Sequence, residues 1–369
     1  MSLSLPADPP RARSLTGVVP QMMAALDGRS DWFAPATSAI VLLLDGVGSQ
    51  NLAARAGHAR FLAQASSKND VARTVFPSTT ASALTSLLTG TAPGAHGLVG
   101  YRARIPGTDD VINQLRGWDT DGLPLEWQRA TPLTTTRPSF AVTKTEYAGT
   151  GFTAATLAGA EFHGADDLTE RVELAADLAA RHPGSFVYLY VPDLDAIGHK
   201  HGWQSDEWVA GLERADAAAR ALDRALSAGT GVIVTADHGM VDVPRHRQVL
   251  LSDGDGLVDG VHLIGGEPRM LHLYAEPGAG DDVLGAWRDA EAGRSWVLSR
   301  AEAVDAGLFG PVAPEVLERI GDVIVAARAG IAYYDDRLAD KGAQRMIGQH
   351  GSLSNEERIV PLIRLGAFA

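Results

Sequence analysis

Short, mainly apolar runs bounded by Gly, Pro or Asp recur along this chain, and they constrain its fold more than any other feature. The clearest are Ile40–Leu44, Phe186–Val191, Val232–Thr235 and Ile359–Leu365. Runs of this kind are how strands covered on both faces of a parallel sheet appear in a sequence. Between them lie helical patterns: Trp208, Leu212, Ala215, Ala219, Leu222 and Leu226 fall on one helix face, as do Leu168, Val172, Ala175 and Leu178. Strands alternating with helices predict an α/β fold, a right-handed, doubly wound, mostly parallel sheet flanked by helices.

At roughly 100–200 residues per domain, a chain of 369 residues has room for one large α/β domain with an inserted lobe. The stretch 244–341 reads as that lobe, a smaller α+β unit. Short strand-like pieces (Met270–Tyr274, Trp296–Leu298, Val323–Ala326, Ile331–Tyr334) alternate there with Gly-rich turns and short helices. The core is then 1–243 together with 342–369. Ile105–Arg137, rich in Gly, Pro, Thr and Asp, reads as a long surface excursion near whatever site the core carries.

Composition removes several chemistries. The chain has no cysteine, which excludes disulfides, thiolate catalysis and iron–sulfur clusters and leaves only His and carboxylate ligands for a metal. With 45 acidic against 32 basic side chains the net charge is −13, so a nucleic-acid scaffold role is not expected. The opening MSLSLPADPPRARS is polar where a secretory leader needs an apolar core, and no stretch approaches the ~18–20 apolar residues of a membrane span. The expectation is a soluble, cytoplasmic protein without a membrane partner; nothing in the sequence signals an oligomeric state.

The core runs end in polar clusters, and ligands of open α/β sheets gather outside the carboxyl ends of strands. IVLLLDGVG puts Asp45 directly after an apolar run, with Gly46 and Gly48 letting the backbone turn away. An Asp there is equally suited to capping the next helix. VIVTADHGM sets Asp237 beside His238; both reach one ion only if the chain leaves the sheet there, which Gly239 permits. FVYLYVPDLDAIGHKHG supplies Asp193, Asp195, His199 and His201, and the Asp195–His199 spacing brings two side chains onto one side of a helical turn. Gln349-His350-Gly351-Ser352 precedes the last apolar run. Finally, Thr79 and Thr80 open a helix-compatible run, Ala81–Leu88; such a hydroxyl is ordinarily an N-cap, and becomes a nucleophile only when a metal or base lowers its pKa.

Taken in order, these segments resemble the alkaline phosphatase superfamily, most closely its type I phosphodiesterase/nucleotide pyrophosphatase branch, over about Ala39–Leu365. The motifs that carry the resemblance are Asp45-Gly46; Phe76, Pro77 and Thr80 followed by Thr89-Gly90, Pro93 and His96-Gly97; Asp195, Gly198, His199 and Gly202; Asp237–Met240; and His350-Gly351. The resemblance implies an alkaline phosphatase-like fold and two divalent ions. One would be held by Asp195, His199 and His350, the other by Asp45, Asp237, His238 and the Thr80 hydroxyl. Zn²⁺ suits such ligands best and Mn²⁺ acceptably. Two such ions against three carboxylates leave the site at about +1, so a phosphoryl anion is attracted despite the acidic chain. The implied reaction is attack by Thr80 on a small-molecule phosphate ester, a phospho-threonine intermediate, then hydrolysis. The inserted lobe would cover the site.

The chain departs from the family pattern in two places. Where relatives carry an asparagine that holds a phosphoryl oxygen, HGLVGY offers Tyr101, with Arg102 or Arg104 nearby to add charge. A Pro-Asn after the nucleophile is replaced by Ala81-Ser82. The substrate subclass therefore stays open between a phosphodiester or nucleotide pyrophosphate, a phosphomonoester, and a phosphonoacetate-type substrate; a non-catalytic metal-binding protein is the remaining alternative. Trp118, Trp127, Trp203 and Tyr101 are either core or platforms for a nucleobase. Gly149-x-Gly151-x-x-Ala154 matches a dinucleotide fingerprint, but the preceding TKTEY is too polar for the strand it needs.

Overall fold

A computed structural model describes residues 4–369. The chain lays down strands Ser38–Leu44 (β1), Val71–Arg73 (β2), Ser139–Thr143 (β3), Ala160–Gly164 (β4), Phe186–Val191 (β5) and Thr230–Thr235 (β6). It then crosses a lobe with strands Val261–Glu267 (β7), Met270–Ala275 (β8), Ser295–Ser299 (β9) and Val323–Ala327 (β10), and returns as Ile359–Gly366 (β11). Seven of these form one sheet in the order β2-β11-β6-β1-β5-β3-β4. β1 lies at its centre, every residue buried, and pairs in parallel with both β5 and β6. That is the physical reason for the apolar runs: a strand walled on both faces favours apolar side chains on both.

The flanking helices bury the faces read from the sequence. Leu168–Arg181 (α3, after Leu15–Leu26 as α1 and Thr80–Thr89 as α2) is opened by Asp167, whose carboxylate accepts from the Thr169 and Glu170 amides, and it buries Val172, Ala175 and Leu178. Asp193–His201 (α4) and Asp206–Ala225 (α5) follow, the latter burying Trp208, Leu212, Ala215, Ala219 and Leu222.

Three strands differ from the sequence reading. β11 runs antiparallel to β6, with Leu362 opposite Thr235. The chain re-enters the sheet from the edge where β1, β5 and β6 end, so its last strand must run the other way. β3 and β4 did not stand out as apolar runs. β4 is a half-exposed edge strand, and the strand ahead of Gly149 is SFAVT (β3), which ends at Thr143, the first residue of the polar TKTEY.

Within the lobe, β7, β8, β10 and β9 form a four-stranded antiparallel sheet, while Ala332–Asp335 pairs with Gln248–Leu251 in a separate two-stranded ribbon. A buried ion pair ties the lobe to the core: Arg269 grips Glu357 with two hydrogen bonds, at 2.7 and 2.8 Å. Arg269 also donates to the carbonyls of Ala327, Ala329 and Ile331. The excursion 105–137 is a packed surface rather than a bare loop. Trp118 and Trp127 are buried in an apolar cluster with Ala81, Leu98 and Ile112.

Candidate active site

Three adjacent strands deliver polar side chains at one edge of the sheet. β1 is followed at once by Asp45, β6 by Asp237 and His238, and β5 by α4, which carries Asp195 and His199. Gly46 turns the chain with φ +73°, and a Cβ there would stand 3.1 Å from the Cα of Asp195. Absence of that carbon lets the end of β1 lie directly against α4, which sets the two polar groups side by side.

The side chains gather into two clusters, Asp45–Asp237–His238 and Asp195–His199–His350. The rings of His238 and His350 stack with centroids 3.6 Å apart, so the clusters are contiguous. Thr80, the first residue of α2, is only partly buried, and its hydroxyl lies 3.2 Å from His238 Nε2. The Tyr190 hydroxyl donates to Asp45 Oδ2. Asp237 Oδ1 accepts from the amides of Gly46 (3.2 Å) and His238 (3.0 Å).

The three imidazoles share one arrangement. Each Nδ1 faces a backbone carbonyl: His238 that of Gly239 at 3.1 Å, His350 that of Ser78 at 3.0 Å, His199 that of Gly348 at 2.7 Å. A carbonyl only accepts, so the ring proton belongs on Nδ1 and Nε2 turns a lone pair inward. His199 Nε2 and His350 Nε2 then face each other at 3.2 Å, an arrangement a cation between them relieves. The carboxylates tell the same story, because Asp45 Oδ1, Asp237 Oδ2 and Asp195 Oδ1 are buried without a hydrogen-bond partner among the described residues. Burial, followed by the nearby carboxylates of Asp237 and Asp195, pushes Asp45 well above the usual carboxylate range. Burial and the neighbouring His238 and His199 hold the His350 imidazole well below its ordinary value. Unpartnered acceptors crowded together in a buried place are the donor set of divalent cations, so the residues fit two such ions.

A cleft of about 560 Å³ opens beside the clusters, with Asp45, Thr80 and Asp195 at one end. Leu84, Leu88, Phe152 and Leu157 form an apolar wall, and Tyr147, Tyr188 and Tyr190 line it as well. Arg116 and Lys144 bring positive charge to it. Burial raises the Tyr147 phenol to about 12, with the acidic groups of the site adding to the shift, so it stays a neutral hydrogen-bond donor. Sequence reading did not single out these tyrosines. The usable signal was period two: Tyr188 and Tyr190 share a face of β5, shortly before Asp195.

Several candidates lie elsewhere. Asp193 pairs with Lys144 (2.8 Å) and Arg171 (3.3 Å), outside either cluster. Arg102 donates to the Val111 carbonyl and lines a separate hollow with Asp109 and His262, while Arg104 donates to the Thr108 carbonyl. Neither guanidinium lines the cleft, and neither do Tyr101, Trp118, Trp127 or Trp203. The Tyr101 amide donates to Glu267 Oε2 at 2.8 Å.

The family model for type I phosphodiesterase / nucleotide pyrophosphatase matches residues 39–353. No curated protein sequence matches the chain. Among solved structures, murine ectonucleotide pyrophosphatase / phosphodiesterase 5 is 18% identical, with a TM-score of 0.65 over 88% of this chain and 87% of that one. An inactive form of it, with one threonine replaced by alanine, is solved in complex with AMP. Phosphonoacetate hydrolase from Sinorhizobium meliloti 1021, in complex with phosphonoformate, is 20% identical, with a TM-score of 0.68 over 90% of each chain.

Proposed function

The chain belongs to the type I phosphodiesterase/nucleotide pyrophosphatase family of the alkaline phosphatase superfamily, and from that premise we propose that it hydrolyses phosphodiesters or nucleotide pyrophosphates with Thr80 as nucleophile. The observation that carries the reading is the shared orientation of His199, His238 and His350, each Nδ1 on a carbonyl and each Nε2 turned toward an aspartate carboxylate of the site, at 3.3 to 3.8 Å. Asp45, Asp237 and His238, with the Thr80 hydroxyl, would hold one divalent ion, and Asp195, His199 and His350 the other; the donor set favours Zn²⁺, with Mn²⁺ as the alternative. Bound there, two such ions lower the pKa of the attacking hydroxyl and neutralise charge on the phosphoryl oxygens.

The chain's own groups do the rest. Thr80 Oγ stands at the start of α2, a helix of ten residues, so the helix N-terminus favours the negative charge that develops beside it. Attack forms the Thr80 Oγ–phosphorus bond as the bond to the leaving oxygen breaks on the opposite side, where Asp195, His199 and His350 lie. Water then cleaves the phospho-threonine and restores the hydroxyl. The cleft beside Thr80 takes the substituent that stays on phosphorus, its apolar wall and three tyrosines suiting a planar or apolar body with polar edges. The inactive threonine-to-alanine form of the murine relative and its AMP complex support both parts of this reading.

Arg102 and Arg104 sit away from the cleft, which argues against their clamping the extra charge of a monoester. A second reading, cleavage of a phosphonate that carries a carboxylate, draws on Lys144 and Arg116 in the cleft. The test is the ratio of turnover on a nitrophenyl phosphodiester to that on the monoester, with Zn²⁺ supplied and Thr80→Ala as blank. A ratio well above one that disappears in the variant supports the diesterase. A ratio well below one replaces it with a monoesterase; cleavage of phosphonoacetate alone replaces it with the second reading.

A further inference from the structure

Buried polar side chains of the lobe grip the backbone that follows the His96-Gly97 turn at almost every second residue. Arg319 Nη1 donates to the Gly97 carbonyl at 3.0 Å, and its guanidinium lies 3.4 Å over the Trp127 ring. His272 Nε2 donates to the Val99 carbonyl at 2.9 Å; its Nδ1 accepts the Gly321 amide at 3.1 Å, which fixes that tautomer. Glu267 Oε2 accepts the Tyr101 amide at 2.8 Å, and the Tyr274 hydroxyl accepts the Arg104 amide at 3.0 Å. Every one of these side chains is buried.

Glu267 reaches further than the others. Its side chain fills the space beside Gly351: a Cβ on that glycine would fall 2.4 Å from Glu267 Cγ and 2.6 Å from Oε1. Gly351 follows His350, and its carbonyl accepts the Ser78 amide at 3.1 Å. Ser78 returns the contact, its carbonyl facing His350 Nδ1 at 3.0 Å and its hydroxyl donating to the Ser352 carbonyl at 2.7 Å. Ser78 lies two residues before Thr80. One carboxyl group from the lobe therefore sits where the nucleophile segment, the Tyr101 segment and the His350 segment converge. Glu267 Oε1 has no hydrogen-bond partner among the described residues.

We propose that Glu267 is a positioning residue, through which the lobe fixes the backbones of Tyr101 and Gly351 and thereby the imidazole of His350. On this account the lobe is part of the catalytic geometry. The inference rests on the assignment of Asp195, His199 and His350 to one metal ion. It goes beyond that assignment, because neither the Zn²⁺ ligands nor the nucleophile belongs to the lobe.

The experiment is a calorimetric Zn²⁺ titration of metal-free wild type, Glu267→Ala, Glu267→Asp and Glu267→Gln, with steady-state kinetics on each. Wild type should bind two ions. Glu267→Ala should weaken one site by about 10–100-fold and leave the other unchanged, the size of effect that supports behind a metal ligand have. Its kcat should fall by a similar factor while KM stays within about threefold. Glu267→Asp keeps the carboxyl but shortens its reach, and should show the same defect; it carries the test should the alanine variant not fold. Glu267→Gln keeps an acceptor for the Tyr101 amide and should restore both readouts. Two ions bound with wild-type affinity in the alanine and aspartate variants, whatever their melting temperatures, would overturn the positioning role alone. A wild type that binds no ion would remove the metal site and this inference with it.

Discussion

Asp45, Asp237 and His238 stand at the ends of two neighbouring central strands and are buried, whereas Asp195 and His199 ride a helix with 18% and 22% of their side chains exposed. The strand-end cluster also has the denser support, with the Tyr190 hydroxyl on Asp45 and two amides on Asp237. Among the described residues, Asp195 accepts no hydrogen bond from an amide or hydroxyl, and its cluster is completed by His350 from a loop far along the chain. A site at the ends of paired strands is fixed by the sheet itself. One assembled from a helix and a loop depends on whatever holds the loop. The proposed nucleophile belongs to the rigid side, since Thr80 Oγ lies against His238.

The largest effect should follow from removing that hydroxyl. Thr80→Ala should lower kcat on the preferred ester by about 10³-fold or more, while a Zn²⁺ titration still finds two ions. Loss of one ion along with activity would show instead that the hydroxyl is needed to hold metal at the strand-end cluster.

This asymmetry also explains what the sequence could reveal. Asp45, Asp237 and His238 follow apolar runs directly, so an alternating α/β pattern and the strand-end rule are enough to point at them. Asp195 and His199 are equally legible through their helical spacing. His350 has no such local signal, and only the order of motifs connects it to the rest. Arg102 and Arg104 were attractive because they are close in sequence to the His96-Gly97 turn. Pairing of Arg102–Arg104 with Val111–Asn113 sends their side chains to other partners. Glu267 was out of reach for the opposite reason, since its neighbours Tyr101 and Gly351 are brought to it only by the docking of the lobe. Local pattern reads what one strand or helix carries; it does not read a contact that three distant segments make together.

A chelator sharpens the comparison. If the helix-and-loop cluster is the looser one, its ion should leave first, by about tenfold in rate, so that EDTA stopped-flow with a metal indicator shows two phases and activity disappears in the first. A single phase would mean that the stacked His238 and His350 rings make the clusters one cooperative unit.

Charge crowding supplies a smaller test. Burial and the carboxylates of Asp237 and Asp195 disfavour the charged form of Asp45, so without metal the strand-end cluster is a source of instability. Asp45→Asn should raise the melting temperature of the metal-free protein by a few degrees, on the order of 1 kcal/mol, even as it abolishes tight binding of one ion. Asp195→Asn, at a part-exposed position, should shift it by less. An equal rise in both would cancel the distinction drawn between the clusters.

A last test separates the histidines of the two clusters from a structural one. His96 accepts the Leu98 amide on Nδ1 (3.2 Å) and faces Ser86 Oγ with Nε2 (2.9 Å), the reverse of the orientation in the metal clusters. Burial pushes its pKa down to about 3. The folded protein then holds His96 neutral while the unfolded chain protonates it below about 6.5. Its contribution is fully present above pH 6.5 and is lost as pH falls from there toward 3, at no more than about 1.4 kcal/mol per pH unit. Urea midpoints of metal-free protein at pH 7 and pH 5 measure the loss, and His96→Gln should flatten it without changing Zn²⁺ stoichiometry. An unchanged pH slope in that variant would move the acid sensitivity to the two His/carboxylate clusters.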